Sequence, residues 1–144
     1  MTETGVPTSR GRERGRCRLA RNFPTCAADE LGPFGFQQLD VCRRAVDFLG
    51  RGAPLAERMP RGYASLGDQL RRAALSIPLN IAEGNGRRGA DGVQHYSIAR
   101  GSALECAAIV DACGALGFAP PEDLAPLSER LERIVSRLTK MVLK

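Results

Sequence analysis

Apolar side chains recur at helical spacing in four segments of this chain, and short stretches with Gly or Pro separate the segments. Steps of three and four residues place such side chains on one face of a helix. The first helix is predicted to begin near Phe36 and to end or kink around Arg51, where Gly50, Gly52 and Pro54 weaken the pattern. Its predicted apolar stripe is Leu39, Cys42, Val46 and Leu49.

The second segment carries a proline in the middle of its apolar pattern. The stripe consists of Leu66, Leu70, Ala73, Ile77 and Ile81. Pro78 removes one backbone donor and clashes with the carbonyl of Ala74, which costs about 3 kcal/mol in a helix interior. A kink, or a junction of two helices, is therefore expected there. Ser65 is the predicted N-cap, with Asp68 three residues later, and Gly84-Asn85-Gly86 is predicted to cap the other end.

The third and fourth helices are predicted over residues 91–116 and 121–143, because Gly117 and Pro120-Pro121 separate two long periodic runs. The third stripe is Val93, Tyr96, Ala99, Ala103, Cys106, Val110 and Cys113. The fourth is Leu124, Leu127, Leu131, Ile134, Leu138 and Met141, a heptad seam for antiparallel packing. Val135 and Val142 widen this stripe, toward either a second neighbour in the bundle or another subunit.

Four amphipathic segments with short connections predict an all-α protein, an antiparallel up-down-up-down four-helix bundle. Residues 34–144 form the predicted bundle domain. Residues 1–33 lack an apolar period and are rich in Gly, Arg, Pro and Thr, so we expect a disordered, arginine-rich tail.

The cysteines and the hydropathy indicate a cytoplasmic protein. Five cysteines without CxxC spacing are typical of reduced thiols in a cytosol. The sequence contains no run of 18 apolar residues that could form a transmembrane helix. Cys106 and Cys113 share one face of the third helix and are predicted to pack in the core.

The net charge of +5 is unevenly placed. Residues 1–21 hold six arginines and two glutamates, whereas the other residues hold 15 basic and 14 acidic side chains. Exposed basic side chains can contact nucleic-acid phosphates. The candidate nucleic-acid-binding residues are Arg10, Arg12, Arg14, Arg16, Arg18, Arg71, Arg72, Arg87 and Arg88.

Each of these candidates has a simpler interpretation. The tail can be an extension with generic affinity for anions. The body arginines can pair with carboxylates one turn earlier. The predicted pairs are Asp68–Arg72, Glu83–Arg87, Asp40–Arg44, Asp47–Arg51 and Glu129–Arg133. Adjacent residues of a helix point about 100° apart. One arginine of each adjacent pair, Arg71-Arg72 and Arg87-Arg88, is therefore expected to face outward.

The remaining polar residues predict no catalytic or metal site. Ser76, Asn80 and Glu83 surround Pro78, where they either form a binding pocket or, as we favour, bond the backbone groups that proline frees. His95 is the only histidine and does not share a face with Glu105. Glu83, Asp91 and His95 lack a metal-ligand spacing, and no Ser or Cys has a catalytic motif around it. We therefore expect no enzyme, cofactor or metal.

A resemblance to a known family adds to these expectations. The residues that carry it are Gln69-Leu70-Arg71-Arg72-Ala73-Ala74, Ser76-Ile77-Pro78, Asn80-Ile81-Ala82-Glu83-Gly84, Arg87, Ile98-Ala99 and Gly101-Ser102. Together they resemble the 23S rRNA intervening-sequence protein family, also called four-helix-bundle proteins. The resemblance implies a ring-like homo-oligomer, a pentamer. It also implies kinship with accessory proteins of diversity-generating retroelements, which bind a reverse transcriptase and nucleic acid. Gly92 stands where the family usually has a bulky aromatic, and Gly89 where it often has Ser.

Two functional hypotheses follow. The first is a non-catalytic adaptor that associates with RNA, DNA or a ribonucleoprotein. The second is a structural oligomer that binds a protein partner, such as a retroelement reverse transcriptase.

Overall fold

The computed structural model of the protein describes residues 32–144, which form four α-helices and no strand. Residues 1–31, and with them most of the predicted tail, lie outside the described residues. The helices are α1 (Asp40–Glu57), α2 (Ala64–Gly86), α3 (Ala90–Ala115) and α4 (Pro121–Val142). Short 3-10 turns at Gly35–Gln38 and Arg61–Tyr63 precede α1 and α2. The all-α, four-helix fold class is confirmed.

Each helix packs against the next one along the chain, and α4 returns to pack against α1. Residue numbers rise along α1 while those of its contacts on α4 fall, from the pair Asp40–Arg137 to the pair Asp47–Arg130. The same is true of α2 and α3, from Ser76–Ser102 to Glu83–His95. These antiparallel pairs are consistent with the predicted up-down-up-down order.

The core confirms the stripe predicted for α4. Its five buried residues are Leu124, Leu127, Leu131, Ile134 and Leu138. Cys106 and Cys113 are free thiols in the core, as predicted, and Cys42 is buried with them. Burial raises the pKa of the Cys106 thiol to about 12, so it behaves as a small apolar side chain rather than a nucleophile.

Of the two outcomes predicted around Arg51, an end or a kink, the end is excluded, because α1 continues through Gly52 and Pro54 to Glu57. Pro54 lies in the last turn, where it removes only one backbone hydrogen bond. Burial of Leu55 and Ala56 against the bundle holds this turn in the helix.

The predicted apolar stripe of α1 is also partly wrong. Val46 is 50% exposed, whereas Cys42 is buried and Leu39 and Leu49 pack against the core, as predicted. Val41, Ala45, Phe48 and Gly52 are buried as well. The packing of α1 between α2 and α4 therefore turns a neighbouring side of the helix into the core and leaves Val46 outside.

Helix α2 passes through Pro78 as one element, which excludes two helices meeting there. Pro78 is itself buried, and so are its neighbours along the helix, Ala74, Ile77 and Ile81. Core packing therefore offsets the lost backbone bond. The helix begins at Ala64 without a side-chain cap, so the prediction of Ser65 as N-cap is wrong.

Gly84 is a packing residue rather than the predicted cap. It is buried within α2, and a Cβ built on it would lie 2.7 Å from Cε1 of Tyr96 and 3.0 Å from the carbonyl oxygen of Gly92. A Cβ on Gly92 would likewise lie 3.0 Å from the carbonyl oxygen of Gly84. The two glycines let α2 and α3 cross with their backbones close together, which leaves no room for an aromatic side chain at position 92.

Helix α3 follows its predicted bounds within one residue at each end, but one predicted core position is wrong. Val93 is 36% exposed, whereas Gly92 and Ile109 are buried. Gly89 precedes the helix with φ of 63°, a conformation that favours glycine, and no side chain caps the helix.

Candidate nucleic-acid interface

Arg71 and Arg72 lie in the first half of α2 and are both exposed, so the pair presents both of its arginines to solvent, where one was expected to face outward. Arg71 Nη1 donates to Asp68 Oδ1 at 2.8 Å. Arg72 Nη2 donates to Gln69 Oε1 at 2.9 Å, so the predicted Asp68–Arg72 pair does not form. Both guanidiniums keep donors free for a further partner, because each makes a single hydrogen bond here.

Arg87 and Arg88 lie exposed in the turn between α2 and α3. Arg87 Nη2 is 3.8 Å from Glu83 Oε2, a long contact in the pairing that was predicted. Each of these arginines lies sixteen positions after its counterpart, Arg71 or Arg72, and the part of α2 from Arg72 to Gly86 alone spans about 21 Å at about 1.5 Å per residue. The four candidates therefore form two sites rather than one patch. The tail candidates Arg10, Arg12, Arg14, Arg16 and Arg18 lie outside the described residues.

A chain of polar contacts, which we call the polar seam, joins α2 to α3 along one side of their interface. Its members are Ser76, Asn80, Glu83, His95 and Ser102. Ser102 Oγ donates to Ser76 Oγ at 2.9 Å, and Asn80 Oδ1 lies 3.0 Å from His95 Nδ1. His95 Nε2 lies 3.3 Å from Glu83 Oε2. The seam ties the two helices together beside the Gly84–Gly92 crossing.

The bonds of Asn80 fix how the seam is protonated. Its Nδ2 donates to the carbonyl and the hydroxyl of Ser76, at 2.9 and 3.1 Å, so its Oδ1 must accept. His95 Nδ1 therefore carries a proton, and the ring donates to Glu83 as well only when it carries both protons. Asn80 reaches the carbonyl of Ser76 rather than that of Ala74, so the predicted bond to the group freed by Pro78 is wrong.

The seam does not assemble a nucleophile with a base. The serine hydroxyls bond each other and Asn80 rather than His95. Glu105 accepts from Gln69 and does not meet His95, as predicted. Within residues 32–144, no group of three His, Cys, Asp or Glu side chains is placed to hold a metal ion. What the seam offers is orientation of α2 against α3.

The sequence interpretation missed a ladder of ion pairs between α1 and α4. Asp47 accepts from Arg51 within α1 and from Arg130 of α4, each at 2.8 Å. Asp40 accepts from Arg44 at 2.7 Å and lies 3.9 Å from Arg137. At the far end, Arg58 donates to Asp123 at 2.7 Å.

A seven-residue spacing of charged side chains on both helices is the sequence pattern from which this ladder could have been predicted. Asp40 and Asp47 are seven apart on α1, and Asp123, Arg130 and Arg137 are seven apart on α4. Of the pairs predicted within one helix, Asp40–Arg44, Asp47–Arg51 and Glu129–Arg133 are confirmed.

The ladder lowers the pKa of both of its bridging carboxylates. For Asp40, the hydrogen bond from Arg44 is the main cause. For Asp47, partial burial raises the pKa, but the hydrogen bonds from Arg130 and Arg51 together outweigh it. Each aspartate therefore stays charged while it holds two guanidiniums, and one positive charge is left over at each step.

Large apolar side chains are exposed on the outer faces of α2 and α3. They are Leu75, Leu79, Val93, Ile98 and Leu104. On α4, by contrast, Val135 packs against the core and Val142 is partly buried. None of the described helices is long and apolar enough to cross a membrane.

The chain is similar to known proteins in sequence pattern and in fold. The family model described as 23S rRNA-intervening sequence protein matches residues 37–140. A crystal structure from Bacteroides thetaiotaomicron, described as a protein of unknown function from the S23 ribosomal protein family, has the same fold. It is 19% identical, with a TM-score of 0.66 over 72% of this chain and 99% of that one. No curated protein matches the sequence.

Proposed function

Because this chain belongs to the 23S rRNA-intervening sequence protein family, we propose that it is a non-catalytic adaptor that associates with RNA or a ribonucleoprotein. The observation that carries the proposal is the set of exposed arginines, Arg71, Arg72, Arg87 and Arg88, on a chain with a net charge of +5. Guanidinium groups bind phosphate oxygens well, since their fork of donors matches the geometry of the anion.

Contacts of this kind favour affinity over base recognition. Phosphate contacts position a protein on nucleic acid without reading its sequence. Stacking on single-stranded bases needs exposed aromatic side chains, and the chain has only two tyrosines, five phenylalanines and no tryptophan. We therefore expect binding that depends strongly on salt and weakly on base sequence.

A salt titration on one labelled RNA tests this proposal. The full-length protein should bind at low salt, with a logarithm of affinity that falls linearly with the logarithm of salt concentration. Deletion of residues 1–21 removes six arginines and two glutamates, so it should weaken binding and flatten the slope. Arg71→Ala or Arg87→Ala should weaken binding less than the deletion does. An unchanged slope after the deletion removes the tail from the mechanism, and no binding at low salt refutes the proposal.

A second candidate function is a homo-oligomer that binds a protein partner, such as a reverse transcriptase. The exposed apolar side chains of α2 and α3 favour it, because Leu79 and Leu104 are 54% and 52% exposed. Contiguous exposed apolar surface marks sites of protein association. The family resemblance suggests a pentamer.

Sedimentation equilibrium at micromolar concentration tests the oligomer. Leu104→Lys should shift the protein toward monomer, because the charge cannot be buried in an apolar interface without a partner. Val46→Lys is the matched control, since Val46 is equally exposed but lies on α1. A wild-type protein that sediments only as a monomer refutes the oligomer.

A further inference from the structure

The charges of the described residues are divided unevenly between the two ends of the bundle. The starts of α1 and α3 lie at one end together with the ends of α2 and α4. Asp40 lies 3.9 Å from Arg137, and Gly84 and Gly92 are in close contact. Gly35, just before α1, lies against Asn85 near the end of α2. We call this the basic end, because it carries more basic than acidic side chains.

Cutting each helix at its midpoint allows the charges to be counted. The basic end consists of residues 32–48, 76–102 and 132–144, and it carries nine basic and five acidic side chains. The opposite end, residues 49–75 and 103–131, carries six basic and seven acidic side chains. The positive surplus of the described bundle therefore lies entirely at the basic end.

Ion pairing increases this contrast. Within residues 32–144, five basic side chains at the basic end have no carboxylate within 4.0 Å: Arg43, Arg88, Arg100, Lys140 and Lys144. At the opposite end only Arg61 and Arg72 have none. Unpaired surface cations are the groups that gain most from a polyanion, because no internal pair has to be broken.

The chain also enters the bundle at the basic end. Gly32, the first described residue, leads through the 3-10 turn Gly35–Gln38 into the start of α1, and Arg21 precedes Gly32 by eleven residues in the sequence.

On the basis of the function proposed above, we propose that the basic end is the surface that binds the phosphate backbone of RNA. The contacting groups are the unpaired cations Arg43 of α1, Arg88 of the α2–α3 turn, and Lys140 and Lys144 of α4. Arg71 and Arg72 lie toward the opposite end, outside this surface. Of the arginines that the sequence nominated in the bundle, the proposed surface therefore includes only those at one end, and it also includes cations of α1 and α4 that the sequence did not nominate.

Two triple variants with the same change in net charge test this surface. The first is Arg43→Gln, Arg88→Gln and Lys140→Gln. The control is Arg51→Gln, Arg58→Gln and Arg61→Gln, at the opposite end. Loss of three phosphate contacts to a single strand lowers the salt slope by about 2, at about 0.7 per contact. If the variant and the wild type bind equally at about 1 M salt, this difference in slope makes the variant bind about a hundredfold more weakly at about 0.1 M salt.

The expected result is this loss for the first variant and a change below about threefold for the control, on one labelled single-stranded RNA. Circular dichroism of both variants checks that the helices are intact. Equal losses for the two variants, or no loss for the first, overturn the basic end as the binding surface and leave the proposed function standing. A wild-type protein that fails to bind RNA at low salt overturns both.

Discussion

Replacing Gly84 by alanine should destabilise the protein, although alanine is the better helix former. In an unstrained helix interior the exchange stabilises by up to about 1 kcal/mol. Here the added Cβ would lie 2.7 and 2.9 Å from two ring carbons of Tyr96 and 3.0 Å from the carbonyl oxygen of Gly92. The ring can rotate, but the carbonyl belongs to the backbone of α3, so the two helices must move apart.

Overpacking of this kind costs about 1–3 kcal/mol. Since the gain in helix propensity offsets only part of this cost, we expect a net loss of about 1–2 kcal/mol. The measurement is the urea midpoint at constant slope, from which the free energy of unfolding follows.

Gly86→Ala is the matched control for this prediction. Gly86 lies two residues further along α2, and a Cβ built on it meets nothing within 4 Å. It should therefore leave the free energy of unfolding unchanged or raise it by at most about 1 kcal/mol. If Gly84→Ala is as stable as Gly86→Ala, the close helix crossing does not exist as described.

Two further predictions concern the core and the ion-pair ladder. Leu131→Ala should lower the free energy of unfolding by about 2–5 kcal/mol in urea denaturation, because Leu131 is 1% exposed and its truncation leaves a cavity; a loss below about 1 kcal/mol contradicts this. Asp40 and Asp47 have pKa values lowered in the folded state, so their contribution to stability is present above the unfolded pKa of about 3.9 and is lost as the pH falls through the folded values. In the Asp47→Asn variant, the free energy of unfolding should therefore fall less steeply below about pH 4 than in the wild type, in an acid titration followed by circular dichroism. If the two acid profiles are the same, the ion pairs of Asp47 do not contribute to stability.

The sequence determined which segments are helical and which face of α4 is buried. Helical periodicity is a local property, and the heptad seam from Leu124 to Leu138 leaves only one face to bury. The core cysteines of α3 followed for the same reason. Predictions of the caps of α2 did worse, because Ser65 and Gly84 have the residue types of caps while packing sets where α2 begins and what Gly84 contacts.

The candidate site depended on the tertiary structure much more than the helices did. The sequence nominated Arg71, Arg72, Arg87 and Arg88, but only the packed bundle shows which of them lie at the same end as Arg43 of α1 and Lys140 of α4. It did not pair Glu83 with His95, or Asp47 with Arg130, because these residues are far apart in the chain and meet only when the helices pack.

The sequence by itself thus determined four amphipathic helices, an apolar core and a net positive charge, because each depends on residue types and on spacing along one segment. Only the tertiary structure decided that Val46 and Val93 face solvent, that Gly84 and Gly92 form a close crossing, and that the positive surplus of the bundle lies at one end. Those outcomes depend on which helix lies beside which and in what direction. Long-range packing of four helices fixes that arrangement, and no single segment encodes it.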